Sequence, residues 1–241
     1  MQIKADLHTH TVASTHAYST VAELAAAAAE TGVELLGITD HGIGSPDAPH
    51  RWHFHNYKVL PRRIGSVWLL KGVEANIMDE DGVLDMNEKE LSFCEWVIAS
   101  YHTACVTFDR TPELVLRGYR GVCENPLVDV IGHPTTAMFP FDYEAGVKLF
   151  KASGKLVEMN ESSLQWKPGA LENARVFYRL CRDYAVPLVV NTDSHYAGQV
   201  GKTPIAEQLL EELCYPQELI VNLDAERVMK LAHEKRGIVF A

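Results

Sequence analysis

Short apolar runs alternate with longer segments of helical periodicity along most of this chain. The apolar runs are rich in Val, Ile and Leu, and polar or turn-forming residues bound them, as is typical of buried β-strands. We predict seven strands: a first that leads into residues 6–10, followed by residues 35–41, 67–77, 96–102, 128–134, 155–160 and 187–195.

Segments with helical patterns lie between and after these strands. Residues 20–32 begin with Thr20, continue through an alanine run and end at Gly32, which are the start and stop features of a helix. Further helices are predicted over residues 143–153, 170–184, 205–213 and 225–235.

This alternation predicts an α/β fold with a parallel sheet and crossover helices. At this length the usual form is a closed or nearly closed β/α barrel, here one strand short of the common eight. The chain contains no internal repeat, low-complexity tract or linker, so we predict a single domain over residues 1–241.

Composition narrows the classes of function. The 241 residues are 47% hydrophobic and 22% charged, which is ordinary for a globular protein, and the net charge of −10 argues against binding long nucleic acid or an anionic membrane. No apolar run approaches the roughly 20 residues that cross a bilayer, and the first residues do not resemble a signal peptide. We therefore predict a soluble, cytoplasmic protein whose five cysteines, none in a C-x-x-C pair, are reduced and mostly buried.

The first strand leads into Asp6-Leu-His8-Thr-His10. Strand side chains alternate between faces, so Asp6, His8 and His10 are expected to point the same way. One carboxylate and two imidazoles at this spacing can hold a divalent transition metal. The alternative is a solvated polar strand end.

Other predicted strands end in similar residues, and the carboxyl ends of barrel strands meet at one face. His is only 11 of the 241 residues, yet it stands at the ends of five of the seven strands. Together with His16, the candidate ligands are His8, His10, His16, His41, Glu74, His102, His133, Asp193 and His195. These are too many for one metal and enough for two or three, and a thiolate-free set suits a catalytic site that holds Zn, Mn or Fe.

Two further segments lie at the same face. The sixth strand ends in Glu158-Met-Asn160, whose side chains either contact the ligands or the substrate, or cap the following loop. Residues 50–57, after the second strand, mix cations with aromatic residues. Arg51 and His53 are the candidates there for binding phosphate, and a packed surface loop is the alternative.

The motifs of this chain resemble, in order and over nearly its whole length, those of the PHP (polymerase and histidinol phosphatase) family. They are Asp6-x-His8-x-His10 with His16, Thr39-Asp40-His41, Gly72-Val-Glu74-Ala-Asn76, Ser100-Tyr-His102, Gly132-His133-Pro134 and Asp193-Ser-His195. Residues 13–20 and 47–54 further resemble the YcdX-type phosphatase branch. The resemblance implies a distorted, TIM-barrel-like (β/α)7 barrel with a trinuclear metal centre at the C-terminal strand ends and phosphoesterase activity.

Carried over residue by residue, the resemblance implies three ligand sets. The sets are His8, His10, Glu74 and Asp193 for the first metal, Glu74, His102 and His133 for the second, and His16, His41 and His195 for the third. We take Zn²⁺ as the first candidate for all three ions, with Mn²⁺ or Fe²⁺ as alternatives. The resemblance also suggests a homo-oligomer such as a trimer.

These observations predict a metal-dependent phosphatase that hydrolyses small phosphate monoesters by attack of a metal-bound hydroxide. Clustered dications neutralise the phosphate, lower the pKa of a water and align the nucleophile. We assign catalytic roles to Asp193, Glu74 and His195, and substrate binding to Arg51, His53 and Asn160. The alternatives are phosphodiesterase or nuclease-type activity on nucleotides, and a non-catalytic metal-binding accessory domain.

Close packing of the imidazoles is also expected to change their pKa values. Without metal, neighbouring imidazoles repel one another when they are protonated, so we expect lowered pKa values for them. The metal-free fold would then lose stability as the pH falls through about 6.5.

Overall fold

Seven parallel strands follow chain order around the central sheet of the computed structural model, which describes residues 1–240. An eighth strand, β3, pairs antiparallel with β4 at the edge of this path. In chain order the strands are β1 (Ala5–Asp6), β2 (Leu35–Ile38), β3 (Arg63–Ile64), β4 (Val67–Asn76), β5 (Trp96–Ser100), β6 (Val130–Ile131), β7 (Leu156–Asn160) and β8 (Leu188–Asn191). The seven predicted strands are confirmed, whereas β3 was not predicted.

The two ends of this sheet meet. Thr9, after β1, forms a parallel bridge with Ser194, after β8, and the backbone N–H of His10 donates to the Ser194 carbonyl over 2.9 Å. The Asp6 carboxylate accepts from the backbone N–H of Thr192 over 3.1 Å. The sheet is therefore nearly closed into a barrel, and the predicted α/β barrel is confirmed.

Helices alternate with the strands. They are α1 (Val21–Thr31), α2 (Trp52–His55), α3 (Glu88–Leu91), α4 (Pro112–Glu124), α5 (Tyr143–Ser153), α6 (Glu161–Trp166), α7 (Ala170–Asp183), α8 (Pro204–Glu212) and α9 (Ala225–Arg236). Short 3₁₀ helices cover Tyr57–Val59, Ala197–Gln199, Gln217–Leu219 and Val221–Leu223.

The predicted helix boundaries follow from their caps. Thr20 and Glu23 form a capping box before α1, and Gly32 ends that helix in the left-handed region with φ 76°. The helix α4 was not predicted, although its start carries two recognisable features: Thr111 as N-cap and Pro112 in the first turn.

Two apolar clusters hold the barrel together. One lies between the sheet and the outer helices. The other gathers residues from or next to all seven parallel strands, from the 3₁₀ helix Val221–Leu223 and from α9, so it fills the barrel interior: Ala5, Leu7, Leu35, Leu70, Trp96, Ile98, Val130, Leu156, Val189, Val221, Ala225, Val228 and Ala232. Because α9 contributes to this cluster, it covers one end of the barrel.

The opposite end of the interior is polar. Side chains alternate along a strand, so Leu70 and Glu74 share one face of β4, and Leu156, Glu158 and Asn160 share one face of β7. The face that begins apolar therefore ends in buried carboxylates at the C-terminal strand ends, and both Glu74 and Glu158 are fully buried.

The cysteine thiols and the helix lengths bear on two further predictions. All five cysteines are free; Cys94, Cys105, Cys123 and Cys181 are buried, and Cys214 is exposed. Within residues 1–240, the helices are too short or too polar to cross a membrane.

Candidate metal centre and active site

Glu74 lies at the centre of a cluster formed at the C-terminal strand ends. Its two carboxylate oxygens face different groups of imidazoles. Oε2 lies 3.3 Å from His8 Nε2, 3.5 Å from His10 Nε2 and 2.9 Å from His41 Nδ1, whereas Oε1 lies 3.3 Å from His102 Nε2 and 2.8 Å from His133 Nε2. A carboxylate that divides its oxygens in this way is arranged to bridge two ions.

Asp193 supplies a second carboxylate on the side of Oε2. Its Oδ1 lies 3.1 Å from His10 Nε2, 3.5 Å from His8 Nε2 and 3.6 Å from His195 Nδ1. The ligand atoms of His8, His10 and Asp193 all lie within 4.8 Å of one another. The structure therefore brings together the residues predicted for the first ion.

A third group lies towards the solvent. His10, His41 and His195 offer ligand atoms within 4.8 Å of one another, and so do His16, His41 and Asp47. The ring of His16 lies 4.3 Å from that of His195 between centroids, and its Nδ1 pairs with Asp47 Oδ2 at 2.5 Å. All nine predicted ligands thus lie in one cluster, and Asp47 joins them although it was not predicted.

The donor set fits divalent ions. Many buried polar atoms in the cluster have no hydrogen-bond partner among residues 1–240: His8 Nε2, both ring nitrogens of His10, His41 Nδ1, Glu74 Oε2, His133 Nδ1, Asp193 Oδ1 and His195 Nε2. Buried polar groups rarely remain unpartnered, so such a concentration points to a ligand. Tetrahedral zinc with ligands at about 2.0–2.1 Å separates neighbouring donors by about 3.3 Å, close to the distances around Glu74.

The charges of the metal-free cluster are balanced between imidazoles and carboxylates. Burial alone favours the neutral form of Glu74, but neighbouring imidazoles, led by that of His8, hold the pKa of its carboxyl well below its usual range. Burial and the adjacent His41 lower the pKa of His10 to about 3. For His8, burial is outweighed by nearby carboxylates, led by Glu158, which raise its pKa well above the ordinary value.

This balance corrects the expectation that the imidazoles all have lowered pKa values. A lowered pKa, as in His10, removes stability as the pH falls below about 6.5. A raised pKa, as in His8, adds stability at low pH and loses it as the pH rises through the folded-state value. The two effects oppose each other because carboxylates lie within the same cluster, so simple acid lability of the metal-free fold does not follow.

We expect metal binding to release protons near pH 7. The pKa of His8 and that of His41 are raised in the metal-free cluster, and a metal binds only the neutral imidazole, so about one to two protons should leave as the centre fills. Calorimetric titration with Zn²⁺ in two buffers of different ionisation enthalpy would measure this release. Equal apparent enthalpies in both buffers would contradict it.

Glu158 holds His8 in position. Its Oε1 lies 2.7 Å from His8 Nδ1 and also accepts from Asn191 Nδ2, while Oε2 accepts from the backbone N–H of His133 and from Asn160 Nδ2. With Nδ1 bonded to this carboxylate, the Nε2 lone pair of His8 points to Glu74 and Asp193. The sequence left open whether Glu158 contacts a ligand or substrate, or caps the following loop; in the structure it contacts His8, a candidate ligand.

Glu158→Gln is expected to weaken metal binding by about 10- to 100-fold with little change in backbone structure. The amide removes the negative charge that favours the Nδ1–H form of His8. Zn²⁺ affinity, measured by competition with a chromophoric chelator, would report the loss. Glu161→Gln is the matched control, because that buried carboxylate accepts from the backbone of Ile205 and Ala206 instead; an equal loss in both variants would refute the positioning role.

Two of the predicted ligands lie in a strained part of backbone space. His133 has φ 25° and Asp193 has φ 54°, whereas residues with a side chain favour negative φ. Such conformations persist only where the surrounding structure enforces them, and they concentrate at functional sites. Here they turn the two side chains into the cluster immediately after β6 and near the end of β8.

Two residues named from the sequence are not placed among the ligands of the cluster. Asp6 does not join the cluster, because its carboxylate bonds Thr192 and the Gly201 N–H across the barrel seam. Arg51 pairs with Glu90 and lines a different cavity, so the structure does not bring it to the cluster.

His53 and Asn160 serve neighbouring residues. His53 Nε2 lies 3.1 Å from Asp40 Oδ2, and Asp40 in turn accepts from Thr11 and Ser14. Asn160 Nδ2 donates to Asp193 Oδ2 over 3.2 Å, while its Oδ1 caps α6. Both side chains therefore support the loops and carboxylates around the cluster instead of facing an open cavity.

Comparison with known proteins agrees with these motifs. The PHP domain model matches residues 6–164. The chain belongs to the PHP domain family. The matched part of the PHP domain contains seven of the nine predicted ligands, from His8 to His133, and the segment after β8 adds Asp193 and His195.

Relatives of this PHP protein extend over its full length. It is 41% identical over 239 residues to a probable phosphatase of Acetivibrio thermocellus, with 98% of both chains covered. It is 39% identical over 236 residues to a probable phosphatase of Clostridium novyi, covering 98% of this chain and 96% of the relative.

The fold is also found in a solved structure. Histidinol phosphate phosphatase from Lactococcus lactis subsp. lactis, complexed with zinc, L-histidinol and phosphate, superposes with a TM-score of 0.59 at 16% identity. The match covers 88% of this chain and 94% of that chain. At this identity the likeness shows a shared fold.

Proposed function

We propose that this protein is a metal-dependent phosphatase that hydrolyses small phosphate monoesters at a trinuclear centre. The observation that carries the proposal is the division of the Glu74 oxygens between two groups of imidazoles, with a third group around His16, His41 and His195. The names of the relatives support the activity, and the zinc and phosphate of the Lactococcus lactis structure support the type of site.

The nine candidate ligands would bind three ions in the sets that the family resemblance implies. His8, His10, Glu74 and Asp193 would hold one ion, Glu74, His102 and His133 the second, and His16, His41 and His195 the third. When bound, the ions would neutralise the phosphate and supply hydroxide at neutral pH. Zn²⁺ is the first candidate, because nitrogen and carboxylate donors at these separations suit it.

The chain's own side chains then orient the reaction. Asp193, held through Asn160, places a carboxylate oxygen beside His10, where it can orient a water or accept its proton. His195 keeps Nε2 free, because its Nδ1 bonds the Asp193 carbonyl over 3.0 Å. We infer that this pair positions the nucleophile.

The activity can be tested with simple substrates. Protein loaded with Zn²⁺ or Mn²⁺ is expected to hydrolyse p-nitrophenyl phosphate between about pH 6 and 9, to act poorly on the diester bis-p-nitrophenyl phosphate, and to lose activity after chelation. Elemental analysis should approach three metal equivalents. One equivalent at saturation would refute the trinuclear centre, and no hydrolysis of monoester, diester or mononucleotide would favour an accessory metal-binding domain.

The assembly state implied by the family resemblance also stays a prediction. A homo-oligomer such as a trimer would give about three times the monomer mass in analytical ultracentrifugation.

A further inference from the structure

We propose that Lys167 binds the phosphate of the substrate and that Trp166, with an apolar wall beside it, selects monoesters whose leaving group carries a planar ring. The inference rests on the proposed phosphatase function and names the class of substrate for the same site.

The cavity above the cluster has two chemically different sides. It encloses about 700 Å³. One side consists of the candidate ligands, including His16, His41 and His195. The other side is an apolar wall from the segments after β5, β6 and β7, and it consists of Tyr101, Met138, Phe139 and Trp166. A phosphate held at the ligand side would therefore direct its leaving group towards the apolar wall.

Two members of the apolar wall are unusually open to solvent. Trp166 is 68% exposed and Met138 is 51% exposed, although both are large and apolar. An isolated exposed apolar side chain needs no explanation, but two that line one cavity beside the candidate ligands offer an unused contact surface. Trp and Met favour planar, polarisable partners, because rings stack on indole and thioethers contact ring edges.

Lys167 is the only Lys or Arg among residues 1–240 that lines this cavity. Its ammonium group forms no ion pair or hydrogen bond within the described chain, unlike Arg51, whose guanidinium is engaged by Glu90. A half-buried cation without a carboxylate partner, next to a metal cluster, is suited to a phosphate oxygen. One such cation also fits a single phosphate better than a nucleic-acid backbone, which needs a row of cations.

The backbone at Trp166 and Lys167 is tied to the cluster through α6. Trp166 is the last residue of α6, and Lys167 follows it with its backbone N–H bonded to the Ser163 carbonyl. The N-cap of α6 is Asn160, which also donates to Asp193. A single short helix therefore connects the end of the metal cluster to both side chains, so the phosphate and ring positions are set by the same element.

Binding of non-hydrolysable phosphonates separates the two roles. Calorimetry on the metal-loaded protein would compare benzylphosphonate with butylphosphonate, which differ in the ring. Trp166→Ala should weaken benzylphosphonate about tenfold and butylphosphonate by less than about twofold. Lys167→Gln should weaken both about tenfold, because it removes the contact to the shared phosphonate.

Two conservative variants and two control variants at other positions test whether the ring and the charge themselves are needed. Trp166→Phe and Lys167→Arg should restore most of the binding, since they keep the ring and the charge. Trp52→Ala is the matched control for the loss of an exposed indole, because Trp52 is 72% exposed on α2 and does not line this cavity. Lys58→Gln is the control for the loss of a surface charge and should leave both affinities unchanged.

Hydrolysis of benzyl phosphate and butyl phosphate, measured in parallel, distinguishes this inference from the proposed function. Suppose that the wild type hydrolyses both esters. Equal affinities of the wild type for the two phosphonates, or an equal loss of affinity for both in Trp166→Ala, would then overturn this inference and leave the proposed function standing. If the protein binds benzylphosphonate more tightly through Trp166 but hydrolyses neither ester, the phosphatase proposal would be overturned, whereas the class of ligand would be supported. An unchanged affinity in Lys167→Gln would overturn the role of Lys167.

Discussion

Glu74→Gln is expected to abolish most of the activity and to release more than one metal ion. The amide has nearly the same shape, but it removes the negative charge that the imidazoles on both sides of the carboxylate share. Because Oε1 and Oε2 face different groups, one substitution should weaken two ions together. Turnover of a phosphate monoester should fall by at least about 10³-fold, which corresponds to about 4 kcal/mol.

Metal content would identify the cause of that loss. Elemental analysis of the Glu74→Gln protein should give at least one equivalent less than the wild type. Glu90→Gln is the matched control, because Glu90 is also buried but caps α3 and pairs with Arg51 away from the cluster. Full metal content with lost turnover in Glu74→Gln would show that Glu74 acts on the substrate instead of bridging ions.

Asp193→Asn is expected to lower turnover by at least about 10²-fold, the usual effect of losing an acid or base group. Asn tolerates the left-handed backbone at φ 54° nearly as well as Asp, so the loop should keep its course. The amide cannot accept a proton from water, and it holds an ion less tightly than a carboxylate. At saturating Zn²⁺ the KM for substrate should change little, because the variant keeps Lys167, which we propose binds the phosphate.

A remote carboxylate provides the control for this variant. Asp142 is the N-cap of α5 and accepts from the Ala145 N–H, and Asn caps a helix equally well, so Asp142→Asn should keep full activity. Steady-state kinetics at saturating Zn²⁺ would separate the two roles of Asp193. Recovery of turnover on adding metal would mean that Asp193 serves only as a ligand.

The sequence determined the architecture and nine members of the cluster, although not Asp47. Apolar runs bounded by polar residues fix the strands, and helices between them require a parallel sheet, so every strand must end at the same face. Residues as distant in sequence as His8 and His195 could therefore be placed together without coordinates. Caps such as Thr20 and Gly154 fixed helix ends because capping depends on neighbouring residues only.

Tertiary structure alone decided how these side chains are used. Asp6 has the spacing of a ligand, but barrel closure places Thr192 and Gly201 against it. Arg51 was the cation that the sequence suggested for phosphate, but in the fold Glu90 engages its guanidinium, and Lys167, which the sequence did not single out, is the cation that lines the cavity at the cluster. Protonation of the imidazoles depends on distances of a few ångströms to carboxylates on other strands, which sequence periodicity does not specify.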